Sequence, residues 1–137
     1  MLNATMEVYQ AGGKLPEVLK RFLTEEGHIF TGAAIQGDVK RLHKDCAINI
    51  SNPKDLQSIV SKLDAYRHLI PTGALPSLEK LGAMVLNLPI EKACNFDHTR
   101  RASEDLSEEL VKYATRDVFL SYEIAKIIEL EHGYQFI

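Results

Sequence analysis

The sequence predicts an α/β domain, a small and mostly parallel sheet flanked by helices, with an all-helical C-terminal half. Three observations point there. In the first half, short apolar segments closed by glycine alternate with segments whose apolar residues recur every three or four positions, the pattern of strands joined by crossover helices. From residue 54 onward only the helical spacing is found. The longest unbroken helical pattern, residues 106–131 (LSEELVKYATRDVFLSYEIAKIIELE), comes last and offers a long face for the rest to pack on.

Taken in order, residues 6–10 (MEVYQ) join a β-branched and an aromatic residue ahead of Ala11-Gly12-Gly13 and read as a strand. Pro16 opens a helix, because proline is tolerated in a first turn. Val18, Leu19, Phe22 and Leu23 form its apolar face, and Gly27 is its stop. Residues 28–35 (HIFTGAAI) are nearly all apolar, as in a strand covered on both faces. Gln36, Gly37 and Asp38 make the turn that follows, with Asp38 as N-cap of a helix running through Val39, Leu42 and His43 to about Asp45. Residues 47–50 read as a third short strand and Asn52-Pro53 as a break. Residues 54–66 then form a helix with Leu56, Ile59, Val60 and Leu63 inward.

A loop with Pro71 and Gly73 leads to a helix over 75–86, marked by Leu78, Leu81, Met84 and Val85 and ended by Leu88-Pro89-Ile90. Residues 91–105 are polar and irregular. In the last helix Ser107 caps the start, and Glu108 and Glu109 complement its dipole. Its core-facing stripe is expected at Leu110, Val111, Ala114, Val118, Tyr122, Ala125 and Ile128.

The bulk numbers exclude several classes. A chain of 137 residues is one domain, residues 1–137, large enough for a real core. The net charge of −3 is far from the basic footprint of a dedicated nucleic-acid binder. Cys46 and Cys94 stand apart, with no CxxC and no neighbouring histidine pair, so neither a zinc site nor a disulfide framework is described. No apolar run reaches membrane-spanning length, and MLNATMEVYQ has no charged segment ahead of an apolar block. An intracellular protein, cytoplasmic or nuclear, is expected, with no membrane partner.

Few residues carry chemistry. Tyr113 and Asp117 are four apart on the last helix and therefore share a face, a turn from each other. A phenol over a carboxylate can hold a water or a metal ion against a substrate; a core tyrosine beside an exposed aspartate is the plainer reading. His28, His43, His68, His98 and His132 are scattered without ligand spacing and read as packed or solvated. His98-Thr99-Arg100-Arg101 is a small basic patch able to touch a phosphate backbone, but Glu104, Asp105, Glu108 and Glu109 beside it oppose polyanions. Gly12-Gly13 lacks the context of a phosphate loop.

Several segments together resemble a known family. They are LPEVLKRFL, then HIFTGAAIQGDVKRL, LPSLEKLGAMVLNLPIEK and LSEELVKYATRDVFLSYEI, in that order. The series is similar to the DEDDy-type 3′–5′ exonuclease domain, nearest to the Werner-like and RNase D-like members and to short plant forms. The resemblance covers about Met6 to Ile128 and implies an RNase H-like fold. It places Asp38 at the second-motif aspartate and Tyr113 and Asp117 at the YxxxD of the third motif. The first motif is missing: no Asp-x-Glu occurs anywhere in the sequence, and there is no tryptophan before the last helix. The resemblance therefore implies a truncated member that begins at the family's third strand.

Members of that family bind Mg²⁺ or Mn²⁺ through four carboxylates. Asp38 and Asp117 supply two, and Glu7 is on the wrong strand to replace the first motif. Two-ion phosphodiester hydrolysis needs several carboxylates to offset the cation charge. The expectation is thus a degenerate, inactive exonuclease-like domain, with Tyr113, Asp38 and Asp117 vestigial and no cofactor held; Mg or Mn would be required if it were active. Asp38 is then expected to survive as a helix cap. Loss of the first two strands would leave a sheet edge open between His28 and Ile35, which residues 6–10, a second copy or another protein could fill. A protein partner or homo-oligomer through that edge is expected. An exonuclease whose ligands are completed by a partner chain, or a weak single-stranded nucleic-acid binder, are the alternatives.

Overall fold

The computed structural model describes residues 15–89 and 108–136. The strand expected at 6–10, Gly12-Gly13, the polar stretch 91–105 with its basic patch, and the Ser107 cap lie outside the described residues. Eight elements follow one another: α1 (Glu17–Thr24), β1 (Phe30–Gly32), α2 (Ile35–Cys46), β2 (Pro53–Asp55), α3 (Leu56–Lys62), α4 (Asp64–Arg67), α5 (Leu78–Leu86) and α6 (Glu108–His132).

Among the described residues the sheet has two strands, β1 and β2, which pair in parallel with Phe30 opposite Pro53 and Gly32 opposite Asp55. β1 is shorter than the 28–35 expected, because Ala34 takes a left-handed conformation (φ 56°) and turns the chain straight into α2 at Ile35. Gln36, Gly37 and Asp38 are therefore helical. Asp38 lies in the first turn and is not the N-cap; that place belongs to Ala34, which makes no side-chain cap bond.

The third strand is displaced as well. Residues 47–50 form none. Ala47 ends α2 in a left-handed conformation, its N–H donating to the His43 carbonyl at 3.0 Å and that of Ile48 to the Leu42 carbonyl at 3.3 Å. This closure is the usual way a helix C-terminus satisfies its last carbonyls, and it drives Ile48 inward as a nearly fully buried plug. The strand instead occupies Pro53–Asp55, a poor β sequence by propensity. Pairing with β1 overrides that preference, and Asn52 sets the register. Its side-chain amide donates to the carbonyls of Glu26 (2.7 Å) and His28 (3.1 Å), while its own carbonyl accepts from Phe30 N–H at 3.0 Å. Ser51 fastens the end of α1 to the same place, its N–H donating to the Leu23 carbonyl at 3.4 Å and its hydroxyl to that of Thr24.

β2 runs directly into α3, and Asp55 Oδ1 accepts from Gln57 N–H at 2.9 Å as the N-cap. Asp55→Ala is expected to lower the unfolding free energy by about 0.5–2 kcal/mol, the usual worth of such a cap. Urea denaturation with an unchanged slope would register it as a lower midpoint. The helix expected over 54–66 is split at Leu63, and the one expected over 75–86 starts later, at Leu78, capped by Ser77.

α6 packs on α3, α5 and β1. The core joins Leu56, Ile59 and Val60 of α3, Tyr66 of α4, Leu81 and Val85 of α5, and Leu120, Ile124 and Ile128 of α6, with Phe136 beyond. Ile29 and Ala33, flanking β1, lean on this cluster, whereas Phe30 faces α1, its ring edge-on to Phe22 at 5.4 Å. The sheet thus has helices on both faces. Gly82 lets α5 and α6 approach closely: a Cβ there would stand 3.3 Å from Leu120 Cδ2. In α1 only Leu23 is buried, while Val18 and Phe22 are exposed, and Gly27 is not its cap; Glu25 ends it in an extended conformation.

The stripe expected on α6 is rotated. Buried are Leu110, Leu120, Ser121, Ile124 and Ile128, whereas Val111, Val118 and Tyr122 are half exposed or more. Two apolar stripes run along this helix, and the contacts from α3 and α5 select the one that includes Leu120 and Ile124. At its C-terminus Gly133, at φ 63°, turns the chain so that Tyr134 N–H reaches the Ile128 carbonyl at 3.3 Å.

Candidate active site

The rotation of α6 bears directly on Tyr113 and Asp117. On a helix, positions 110, 113, 117, 120 and 124 fall on one face. Tyr113 and Asp117, both half-buried, therefore lie between buried Leu110 and buried Leu120, on the side that meets the body of the domain. The plainer sequence reading, a core tyrosine beside an exposed aspartate, fits Asp117 poorly. Ser121, one turn beyond Asp117, is the buried polar residue on this face; its position four residues on is a signal that the sequence reading passed over. Arg116, next in sequence to Asp117, is also half-buried.

Asp38 belongs to a different element. It sits one turn beyond the C-terminal end of β1, half-buried, in the first turn of α2. There a carboxylate is favoured by the unpaired N–H groups and the dipole of the helix. α6, the helix carrying Tyr113 and Asp117, also lies against β1, the strand that precedes α2. The C-terminal edge of a parallel sheet is where α/β folds place their ligand sites. Asp38, Arg116, Tyr113 and Asp117 all have bonding or electrostatic partners in the structure.

Among the described residues no three His, Cys, Asp or Glu side chains come together as a metal cluster. Three of the histidines have local partners: His28 Nε2 lies 2.9 Å from Glu25 Oε2, His43 Nδ1 lies 2.8 Å from Asn49 Oδ1, and His132 Nε2 lies 2.8 Å from the Tyr66 hydroxyl. Burial, and then the Glu131 carboxylate, push the Tyr66 phenol above its usual range, so it stays protonated for that bond. Burial, with help from Asp45, likewise pushes the Cys46 thiol up, away from the thiolate a metal or an electrophile would need. No described helix is long and apolar enough to cross a membrane.

A small parallel sheet with helices on both faces and a long C-terminal helix packed on it makes this an α/β domain. The chain belongs to the 3′–5′ exonuclease family, whose model matches residues 3–132. A comparison with curated proteins finds no match. Among solved structures the chain is similar to the EXD2 exonuclease domain, at 27% identity over 85% of this chain and 55% of that one, with a TM-score of 0.36. It is also similar to that domain in crystals soaked in Mn (27% identity, 82% and 55% covered, TM-score 0.36). A third similar structure is that domain soaked in Mg and dGMP (26%, 91% and 58%, TM-score 0.36). The chain spans a little over half the length of these structures. The family assignment and the RNase H-like fold rest on the match over residues 3–132.

Proposed function

We propose that this chain is an exonuclease-family domain without hydrolytic activity of its own, which acts through contact with another protein or with a second copy of itself. The donor count carries this reading. The sequence has no Asp-x-Glu, and on the resemblance only Asp38 and Asp117 would stand at the family's four metal-binding carboxylate positions. Two carboxylates leave half of the charge of two divalent cations unmatched. Tyr113 can orient a water, but a water not held on a metal stays a weak nucleophile at neutral pH. The contact half of the reading is supported by the sheet, which stops at two strands among the described residues. An edge strand with no neighbouring strand is a template for pairing with another chain.

The test is an exonuclease assay on the purified chain, alone and with any co-purifying protein. Labelled single-stranded and recessed-end substrates are supplied with Mg²⁺ or Mn²⁺. No shortening is expected with the chain alone. Nibbling from the 3′ end that is lost in Asp117→Asn would overturn the reading. Cleavage only with a co-purified protein would mean that a partner completes the ligands, and salt-dependent binding without cleavage would indicate a nucleic-acid binder.

A further inference from the structure

The two edges of the sheet differ in what they offer. Backbone groups along a strand alternate in direction. Phe30 N–H donates to the Asn52 carbonyl, so Phe30 and Gly32 turn their N–H and C=O toward β2, while Ile29, Thr31 and Ala33 turn theirs away. On β2 it is Lys54 that faces β1, and Pro53 and Asp55 that face outward. Pro53 has no N–H to offer, and Asp55 is a charge already engaged in capping α3. Proline and charge are the devices that blunt a strand edge. From Ile29 to Ala33 there is neither, and among the described residues no strand lies against that side.

We propose that β1 pairs along this edge with β1 of a second copy, antiparallel about a two-fold axis at Thr31, so that two sheets of two strands join into one of four. This rests on the reading of the chain as one that works by protein contact, and it names the occupant. A two-fold pairing presents the same patch from both sides. In this register the patch is self-complementary. Ile29 lies opposite the partner's Ala33, so a long side chain meets a short one twice, and threonine meets threonine at the centre, a favourable cross-strand pair.

A ladder this short falls well below the ~800 Å² per partner of a stable interface. α1, which packs on β1 through Phe30, carries further exposed apolar surface: Phe22 is 44% exposed, and Val18, one turn earlier, is 73% exposed. Covering these two on each copy adds apolar burial to the ladder.

The test combines sedimentation with residue-resolved amide hydrogen exchange, from low micromolar to several hundred micromolar chain. Thr31→Pro removes the outward N–H while leaving the bonds to β2, which Phe30 and Gly32 make. The mass is expected to rise from one chain to two. Exchange at the Thr31 amide is expected to slow by about tenfold or more in step with it, as for an amide newly bonded in a ladder. Phe30 and Gly32 should be protected equally at all concentrations. Thr31→Pro is expected to stay a single chain with an unchanged circular dichroism spectrum. If that variant unfolds, the wild-type exchange profile still decides. A single-chain mass at every concentration overturns the proposal, as does a dimer in which Thr31 exchange does not change. Concentration-independent protection of Thr31 also overturns it, since the chain would then cover its own edge. A single chain that retains another protein and cleaves nothing overturns the pairing of copies and leaves the proposed function standing.

Discussion

Ile124→Ala is expected to lower the unfolding free energy by about 2–5 kcal/mol, the range for truncating a fully buried aliphatic side chain. Ile124 has no exposed surface and sits in the cluster that joins α6 to α3 and α5. Around it Leu56, Val60, Leu81 and Ile128 are likewise sealed, so little can relax into the space a truncation leaves. Part of the cost is lost transfer energy and part is the residual cavity. The informative control is Val118→Ala. Sequence periodicity puts Val118 on the core-facing stripe, but its side chain is 56% exposed. Its truncation should change stability by no more than about 0.5 kcal/mol. Urea denaturation of the two variants therefore decides which apolar stripe of α6 is the inner one. It also decides whether Tyr113 and Asp117, which share the face of Leu120 and Ile124, look into the domain. Equal costs for the two substitutions would remove the ground for placing that pair at a site.

That rotation shows where the sequence was legible and where it was not. The existence of α6, its length and the pairing of Tyr113 with Asp117 follow from spacing along one helix and need no partner to be read. Which side of the helix is buried does not follow, because Leu110, Leu120, Ile124 and Ile128 and the series Val111, Val118 and Tyr122 are both apolar. The choice is made by residues far away in sequence, Leu56, Val60 and Leu81, and by Gly82, which admits Leu120. The strand positions failed for the same reason. Residues 47–50 have the better β composition, yet the ladder partner of Phe30 is Pro53, fixed by a side-chain amide two dozen residues from its acceptors. Asp38 was found by its place after an apolar run, although the left-handed Ala34 that starts α2 early gives no sequence signal, since alanine rarely adopts that conformation. The expectation of an open edge at 28–35 came from a missing motif. The pairing proposed above would use the outward backbone groups of Ile29, Thr31 and Ala33.

The second large effect is expected at Asn52. Asn52→Asp is nearly isosteric, so packing hardly changes, but both amide donations are lost and a carboxylate oxygen is set against the carbonyls of Glu26 and His28, 2.7 and 3.1 Å away. Leaving a buried or half-buried polar group without its partner costs about 1–3 kcal/mol. Two acceptors are affected here, and the repulsion of like partial charges adds to the loss. The same residue's carbonyl receives Phe30 N–H, so a shift of Asn52 also loosens the register of β1 on β2. Its effect should therefore exceed that of Asp55→Ala. The pH dependence gives a signature that simple loss of packing would not. A carboxylate facing two carbonyls has its folded-state pKa raised above the ordinary aspartate value near 4. The variant's deficit is then full above that raised pKa and shrinks as pH falls through it, when the protonated acid can donate to one of the carbonyls. Asn52→Ala removes the donors without adding charge, so its deficit should not shrink in the same way as the medium is acidified. Denaturant midpoints of the two variants at neutral and mildly acidic pH, each referred to wild type at the same pH, separate these cases. A deficit in Asn52→Asp that stays constant with pH would mean that the side chain has swung out to solvent and that Asn52 does not hold the two strands in register.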